Sequence, residues 1–130
     1  MRYLLDTHVW LWQLGRPEML SRRSSAALGD PGSELFLSPI SVWEALVLAR
    51  KGRIKVEGKP GDWIREALRR TPARMAGVTH EIVIASESIP GMRISDPADR
   101  FLAATCLVHD LTLISSDRAL RRLEAIRTLW

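Results

Sequence analysis

Residues 2–14 read RYLLDTHVWLWQL, and the change of rhythm inside this stretch decides how the chain is built. Arg2 to Asp6 is a short, mostly apolar run of strand length. Asp6-Thr7 then leads into a helical segment from His8 to Leu14. The same order returns farther on: Leu35-Phe36-Leu37 is a second brief apolar run closed by Ser38-Pro39, and Ser41 is placed to cap a helix through Arg50 to Gly52. Between these units, Leu20 to Leu28 spaces its apolar residues helically and stops at Gly29, before the turn Asp30-Pro31-Gly32.

The second half continues the alternation. A Gly- and Lys-rich loop over 52–61 precedes Asp62, a cap for a basic amphipathic helix through Arg70 whose apolar face carries Trp63, Ala67 and Leu68. Met75 to Val78 reads as a short strand and Glu81 to Glu87 as a short helix ended by Pro90-Gly91. Asp96-Pro97 opens a helix to about His109, with the proline in the first turn where its missing N–H costs nothing. Leu111 to Ile114 is the next strand, Asp117 caps a last helix through Leu123, and Ile126 to Trp130 forms a final edge strand. Short apolar strands alternating with helices predict an α/β protein with a short parallel sheet and helices on both faces. With 130 residues and no repeat or linker, the expectation is one domain over 1–130.

Composition sets limits without naming a function. Apolar residues at 46% and charged residues at 26% exclude a disordered chain. The formal net charge of +4 permits attraction to polyanions. Cys106 is the single cysteine, which rules out an intrachain disulfide or a cysteine-paired zinc site, and it reads as a small buried hydrophobe. His8, His80 and His109 lack zinc-site spacing. No apolar run is long enough to cross a bilayer and the first residues enter a strand directly, so the expected location is cytoplasmic and the chain free of membrane.

Four acids stand where the carboxyl ends of parallel strands lead into helices, the usual position of ligand sites in such sheets. Asp6 ends the first strand, Asp117 follows the strand 111–114, Asp99 lies in the first turn of its helix, and Glu44 is about one turn into the helix after Pro39. Taken singly, Asp6, Asp96, Asp99 and Asp117 are all explained as caps or first-turn acids, Asp96 most simply because Pro97 follows it. Glu44 is harder to explain, since Ile40, Val47 and Leu48 surround it at helical spacing and Arg50 lies beyond that reach. A carboxylate there wants a cation or partial exposure. Convergence of the acids would raise their pKa values by repulsion, and a hard divalent cation, Mg²⁺ or Mn²⁺, would relieve it. Phosphodiester hydrolysis is the chemistry that such a site suits.

At this point the chain resembles a known family. Leu4-Leu5-Asp6-Thr7-His8-Val9-Trp10-Leu11-Trp12, Ser38-Pro39-Ile40-Ser41-Val42-Trp43-Glu44, Asp96-Pro97-Ala98-Asp99-Arg100 with Ala103-Ala104-Thr105, and Ser115-Ser116-Asp117 are similar to the four motif blocks of VapC-type PIN-domain toxins, in family order. The resemblance implies a three-layer α/β/α fold, Mg²⁺ or Mn²⁺ dependence, and endonucleolytic cleavage of RNA that inhibits translation. By position, Asp6, Glu44, Asp99 and Asp117 would be the metal-binding, catalytic acids. Ser115 and Thr7 would support them, and Asp96 belongs to the motif with capping as its first role. The resemblance also implies a homodimer and a small antitoxin partner. Ala119 stands where some members carry a further acid, and Ser115-Ser116-Asp117 stands where a threonine is common.

Two other readings stay open on the sequence alone. One is a non-catalytic α/β module that binds protein or nucleic acid, its acids serving as caps. The other is a related nuclease acting on DNA or in RNA processing. Arg50, Lys51, Arg53 and Lys55, and then Arg65, Arg69, Arg70 and Arg74, are basic runs best read as solvated faces. Trp10, Trp12 and Trp43, inside apolar helices, read as core or interface anchors.

Overall fold

The computed structural model describes residues 1–130. Five parallel strands, β1 (Arg2–Leu5), β2 (Glu34–Leu37), β3 (Arg74–Met75), β4 (Thr112–Ile114) and β5 (Arg127–Leu129), form one sheet in the order β3-β2-β1-β4-β5. The helices are α1 (Thr7–Gly15), α2 (Arg22–Gly29), α3 (Pro39–Arg50), α4 (Pro60–Arg69), α5 (His80–Ser86), α6 (Pro97–His109) and α7 (Arg118–Arg121), with a 3₁₀ turn over Pro17–Met19. The chain moves outward on one side of β1 through β2 and β3, then returns to the other side for β4 and β5. The order therefore reverses between β1 and β4, and a crevice opens where two such neighbours part.

Alternation along the strands produces the three layers. Tyr3 and Leu5 of β1, Leu35 and Leu37 of β2 and Ile114 of β4 face one way, packing on Val9 and Trp10 of α1, Ala27 of α2, Ala45 of α3, and Ile64 and Ala67 of α4. Leu4 and Leu113 face the other way, against Leu102, Ala103, Ala104 and Cys106 of α6, Ile82 of α5 and Leu120 of α7. Burial pushes the Cys106 thiol up to about 12, as suits a hydrophobe rather than a nucleophile. No helix is long and apolar enough to cross a membrane.

Several boundaries differ from the sequence expectation, and proline explains two of them. Ser41 does not cap α3. The cap is Ser38, whose Oγ accepts the Ile40 N–H at 3.1 Å, because Pro39 takes the first helical position and excludes helical geometry for the residue before it. Pro60 likewise starts α4, so Asp62 is a first-turn acid rather than the cap, and Lys59 holds the cap position without a side-chain bond. Gly52, at φ +71°, closes the turn after α3 as expected. The third strand is two residues long and ends at Met75, since it pairs only with Phe36 and Leu37. Ser21 caps α2, and Thr79 caps α5. The last helix ends at Arg121 rather than Leu123. Trp10 is fully buried, whereas Trp43 is 55% exposed and outside the core.

Candidate active site

The carboxyl ends of β1 and β4 lie side by side in register, Leu5 beside Ile114, so Asp6 and Ser115 leave the sheet together. Asp6 is 8% exposed, and its desolvated carboxylate is held by two donors. Its Oδ1 accepts the Thr7 N–H at 2.7 Å and its Oδ2 accepts the Ser115 hydroxyl at 2.6 Å. Burial raises the Asp6 pKa, those two bonds and nearby His8 counter it, and Asp117 adds to the rise. Ser115 in turn accepts the Asp117 N–H at 3.0 Å, which ties the fourth acid to the first.

Glu44 reaches the same place from α3. Its Oε1 accepts the Thr7 hydroxyl at 2.6 Å, and the Thr7 and Ser41 oxygens lie 2.8 Å apart. A hydroxyl has one proton and an ionised carboxylate none, so Ser41 donates to Thr7 and Thr7 to Glu44. The apolar stripe thus accommodates Glu44 by partial exposure and a hydroxyl relay, with no lysine or arginine paired to it. Its pKa is raised chiefly by burial, which the Thr7 bond opposes. Asp6 and Asp96 raise it further, and His8 lowers it.

Asp99 differs in kind. Asp6, Asp96 and Asp117 each cap a helix: Asp96 Oδ1 accepts the Ala98 N–H at 2.8 Å and Asp117 Oδ1 that of Leu120 at 3.0 Å. Asp99 caps nothing, and its carboxylate accepts no hydrogen bond in the chain. Burial pushes its pKa up to about 7, and Asp6, Asp96, Asp117 and Glu44 all push the same way. Asp99 therefore lies within reach of the charges of the other three candidate acids and of Asp96.

In this arrangement no three His, Cys, Asp or Glu side chains stand close enough to hold a metal ion. Asp6 is turned toward Ser115 and the Thr7 amide, and Asp117 toward Leu120. The donor chemistry nonetheless fits a hard divalent cation, being all carboxylate oxygen, strongly anionic and short of internal cations. Sequence reasoning missed two participants. Ser41 is the relay's first donor, hidden because its surroundings in the sequence are those of a cap, and His8 is the one side chain that acts to lower the pKa of both Asp6 and Glu44. Its place two residues after Asp6 was the available signal.

Two cavities are lined by aromatic and basic side chains. A cleft of about 740 Å³ is walled by His8, Trp12, Leu48 and Trp63 and rimmed by Arg53 and Arg70, and a smaller one near α7 is lined by arginines. Arg65 and Arg69, from the basic runs, are paired with Asp62 and Glu66 on their own helix.

A parallel α/β sheet that gathers acids from β1, α3, α6 and the turn after β4 at its switch point defines a class of protein built around an anionic crevice. The chain belongs to the PIN domain family, whose profile matches residues 3–126. It is similar to ribonuclease VapC22 of Mycobacterium tuberculosis, 32% identical over 118 residues that cover 91% of this chain and 88% of that protein. Its fold is similar to the structure of VapBC2 from Rickettsia felis bound to a DNA fragment from their promoter, with a TM-score of 0.71 at 13% identity, covering 99% of this chain and 98% of that one. A toxin–antitoxin complex from Klebsiella pneumoniae gives a TM-score of 0.67 at 19% identity, covering 98% and 96%.

Proposed function

We propose that this chain is a metal-dependent endoribonuclease, the toxin of a toxin–antitoxin pair, which inhibits translation by hydrolysing RNA phosphodiester bonds in the cytoplasm. Support for the substrate comes from the VapC22 relative, a ribonuclease matched along nearly the whole chain. Support for an antitoxin partner comes from the toxin–antitoxin complexes among the structural neighbours. Pairing of two copies belongs to the same reading, and the exposed Trp43 is free to serve as an anchor for it.

Asp99 carries the proposal. Caps explain Asp6, Asp96 and Asp117, but a carboxyl that caps nothing and is opposed by four like charges is a cost to the fold unless a cation joins it. Asp6, Glu44, Asp99 and Asp117 would hold the Mg²⁺ or Mn²⁺, which would supply neutralisation of the phosphodiester's charge and acidification of a water molecule. The rest is this chain's work. Ser115 and the Thr7 amide orient Asp6 and oppose the rise that burial gives its pKa, the Ser41–Thr7 relay does the same for Glu44, and Asp99, whose pKa burial pushes up to about 7, faces the other acids with no partner in the chain.

The test is a cleavage panel of single-stranded RNA and DNA, with Mg²⁺, with Mn²⁺ and with EDTA. RNA is expected to be cut only with metal, and Asp6→Asn and Asp99→Asn to lose about a hundredfold or more of the rate while keeping the fold. Unchanged cutting by both variants, or cutting in EDTA, would refute the reading. Preference for DNA would move the chain to another substrate. Caps alone would predict no metal effect.

A further inference from the structure

A second charged site begins, in sequence, one residue after Asp117. Arg23 of α2, Arg118 and Arg121 of α7, Arg122, Thr128 of β5 and Trp130 line a cavity of about 420 Å³. The lining is one-sided in its side chains, with four guanidinium groups and no Asp or Glu. The chain's five ion pairs use Arg16, Arg65, Arg69, Arg100 and Arg127, and none uses these four. The fold does not require them either, since Leu120 and Leu123 attach this segment to the core and all four arginines are exposed. Like charges drawn into a concavity concentrate anions, and guanidinium groups match phosphate oxygens two at a time.

We propose that this pocket binds backbone phosphates of a single-stranded RNA whose scissile bond lies at the acidic crevice. The identity of the strand rests on the ribonuclease reading above. Sheet register joins the two places: Leu5 is beside Ile114 and Ile114 beside Leu129, so Asp6, Ser115 and Trp130 are the next residues out of three adjacent strands. The Ser115 N–H donates to the Leu129 carbonyl at 3.2 Å, fixing that edge. Two strand spacings, about 10 Å, separate the Asp6 and Trp130 backbones, a distance that a short stretch of a single strand would span. Arg118 directly follows Asp117, so cations begin where the carboxylates end.

Aromatic rings favour RNA over an acidic protein segment. Trp130 is partly exposed, its ring is 5.9 Å from that of Trp12, and Trp12 is 5.8 Å from His8. Rings interleaved with cations suit bases on a phosphate backbone, whereas an acidic peptide would use only the charges.

The experiment measures anisotropy of a short labelled single-stranded RNA in EDTA, where binding is read apart from cleavage. Arg121→Ala with Arg122→Ala is expected to weaken binding about tenfold at low salt and to make the log–log salt slope shallower by about 1.4, two contacts at about 0.7 each. Arg65→Ala with Arg69→Ala removes the same charge where each arginine already has an acid, and is expected to change little. Equal losses in the two double variants overturn the pocket, because the RNA would then sense net charge alone. Polyaspartate bound more tightly than RNA overturns it in favour of a protein segment, and displacement of RNA by an equal concentration of inorganic phosphate in favour of a small-anion site. If the unmodified protein cuts no RNA with any metal while the pocket variant still loses affinity, the ribonuclease reading fails and the pocket stands. Normal cleavage with unchanged binding overturns the pocket and leaves the ribonuclease reading intact.

Discussion

Asp99 links the chemistry of the site to the stability of the fold. Its ordinary pKa is 3.8 and burial among four other acids lifts it to about 7. Between those values the folded protein holds a proton that the unfolded chain has released. The neutral group's contribution is therefore complete below about pH 3.8 and is lost as pH rises through about 7. In EDTA, the melting temperature is expected to fall from pH 5.5 to pH 8. Asp99→Asn, which removes the repelled charge and keeps the shape, is expected to melt higher than the unmodified protein at pH 8 and to depend less on pH. A variant that melts lower at pH 8 would mean that Asp99 has a stabilising partner in the fold. Such a gain, set against the loss of cleavage proposed for the same variant, would be a familiar exchange of stability for activity. At this scale Asp6, Asp99 and Asp117 stand out in the sequence because each follows a strand end or lies in a helix's first turn, and Glu44 because apolar neighbours surround it. The relay from Ser41 was not, since a buried serine inside a helix and a capping serine have the same sequence signature.

The elements show what pattern alone can place. Strand and helix existence followed from apolar rhythm, and β1, α1, α6, β4 and β5 lie within a residue or two of expectation. Starts of α3 and α4 fall three residues earlier than expected, because the proline signal outweighs the capping oxygens of Ser41 and Asp62. Ser38-Pro39 settles α3 twice over, whereas Lys59-Pro60 has no oxygen to offer, which leaves Asp62 as the nearest capping side chain in the sequence. The two serines of α3 should therefore separate by experiment. Ser38→Ala removes a cap, and urea unfolding is expected to show a loss of about 1 kcal/mol, with metal-dependent cleavage intact. Ser41→Ala removes the donor to Thr7 and is expected to weaken metal dependence as well, read as a higher Mg²⁺ concentration for half-maximal cleavage. If Ser38→Ala shifts the metal dependence as much as Ser41→Ala, the relay has no special role.

Across the whole molecule, charge is segregated by topology. The chain crosses β1 to β4 at the centre of the sheet, which brings Asp6, Glu44, Asp99 and Asp117 from four elements to one crevice, and β5 at the edge brings Trp130 and the α7 arginines beside it. That arginine pocket was illegible in sequence because Arg23 lies far along the chain from Arg122, and only the fold brings them into one lining. The acidic side of this division repels itself, so an ion that binds only the folded crevice must stabilise the whole fold by mass action. A divalent cation at a hundred times its dissociation constant would add about 2.7 kcal/mol. For a chain of this length the melting temperature should then rise on the order of 10 °C. Mg²⁺ or Mn²⁺ is expected to raise it with the logarithm of concentration, while NaCl at equal ionic strength leaves it nearly unchanged. Asp6→Asn should abolish the rise, because its carboxylate is the one held by donors on both oxygens at the junction of β1 and β4. An equal rise with NaCl would show general screening of the cluster rather than a bound ion.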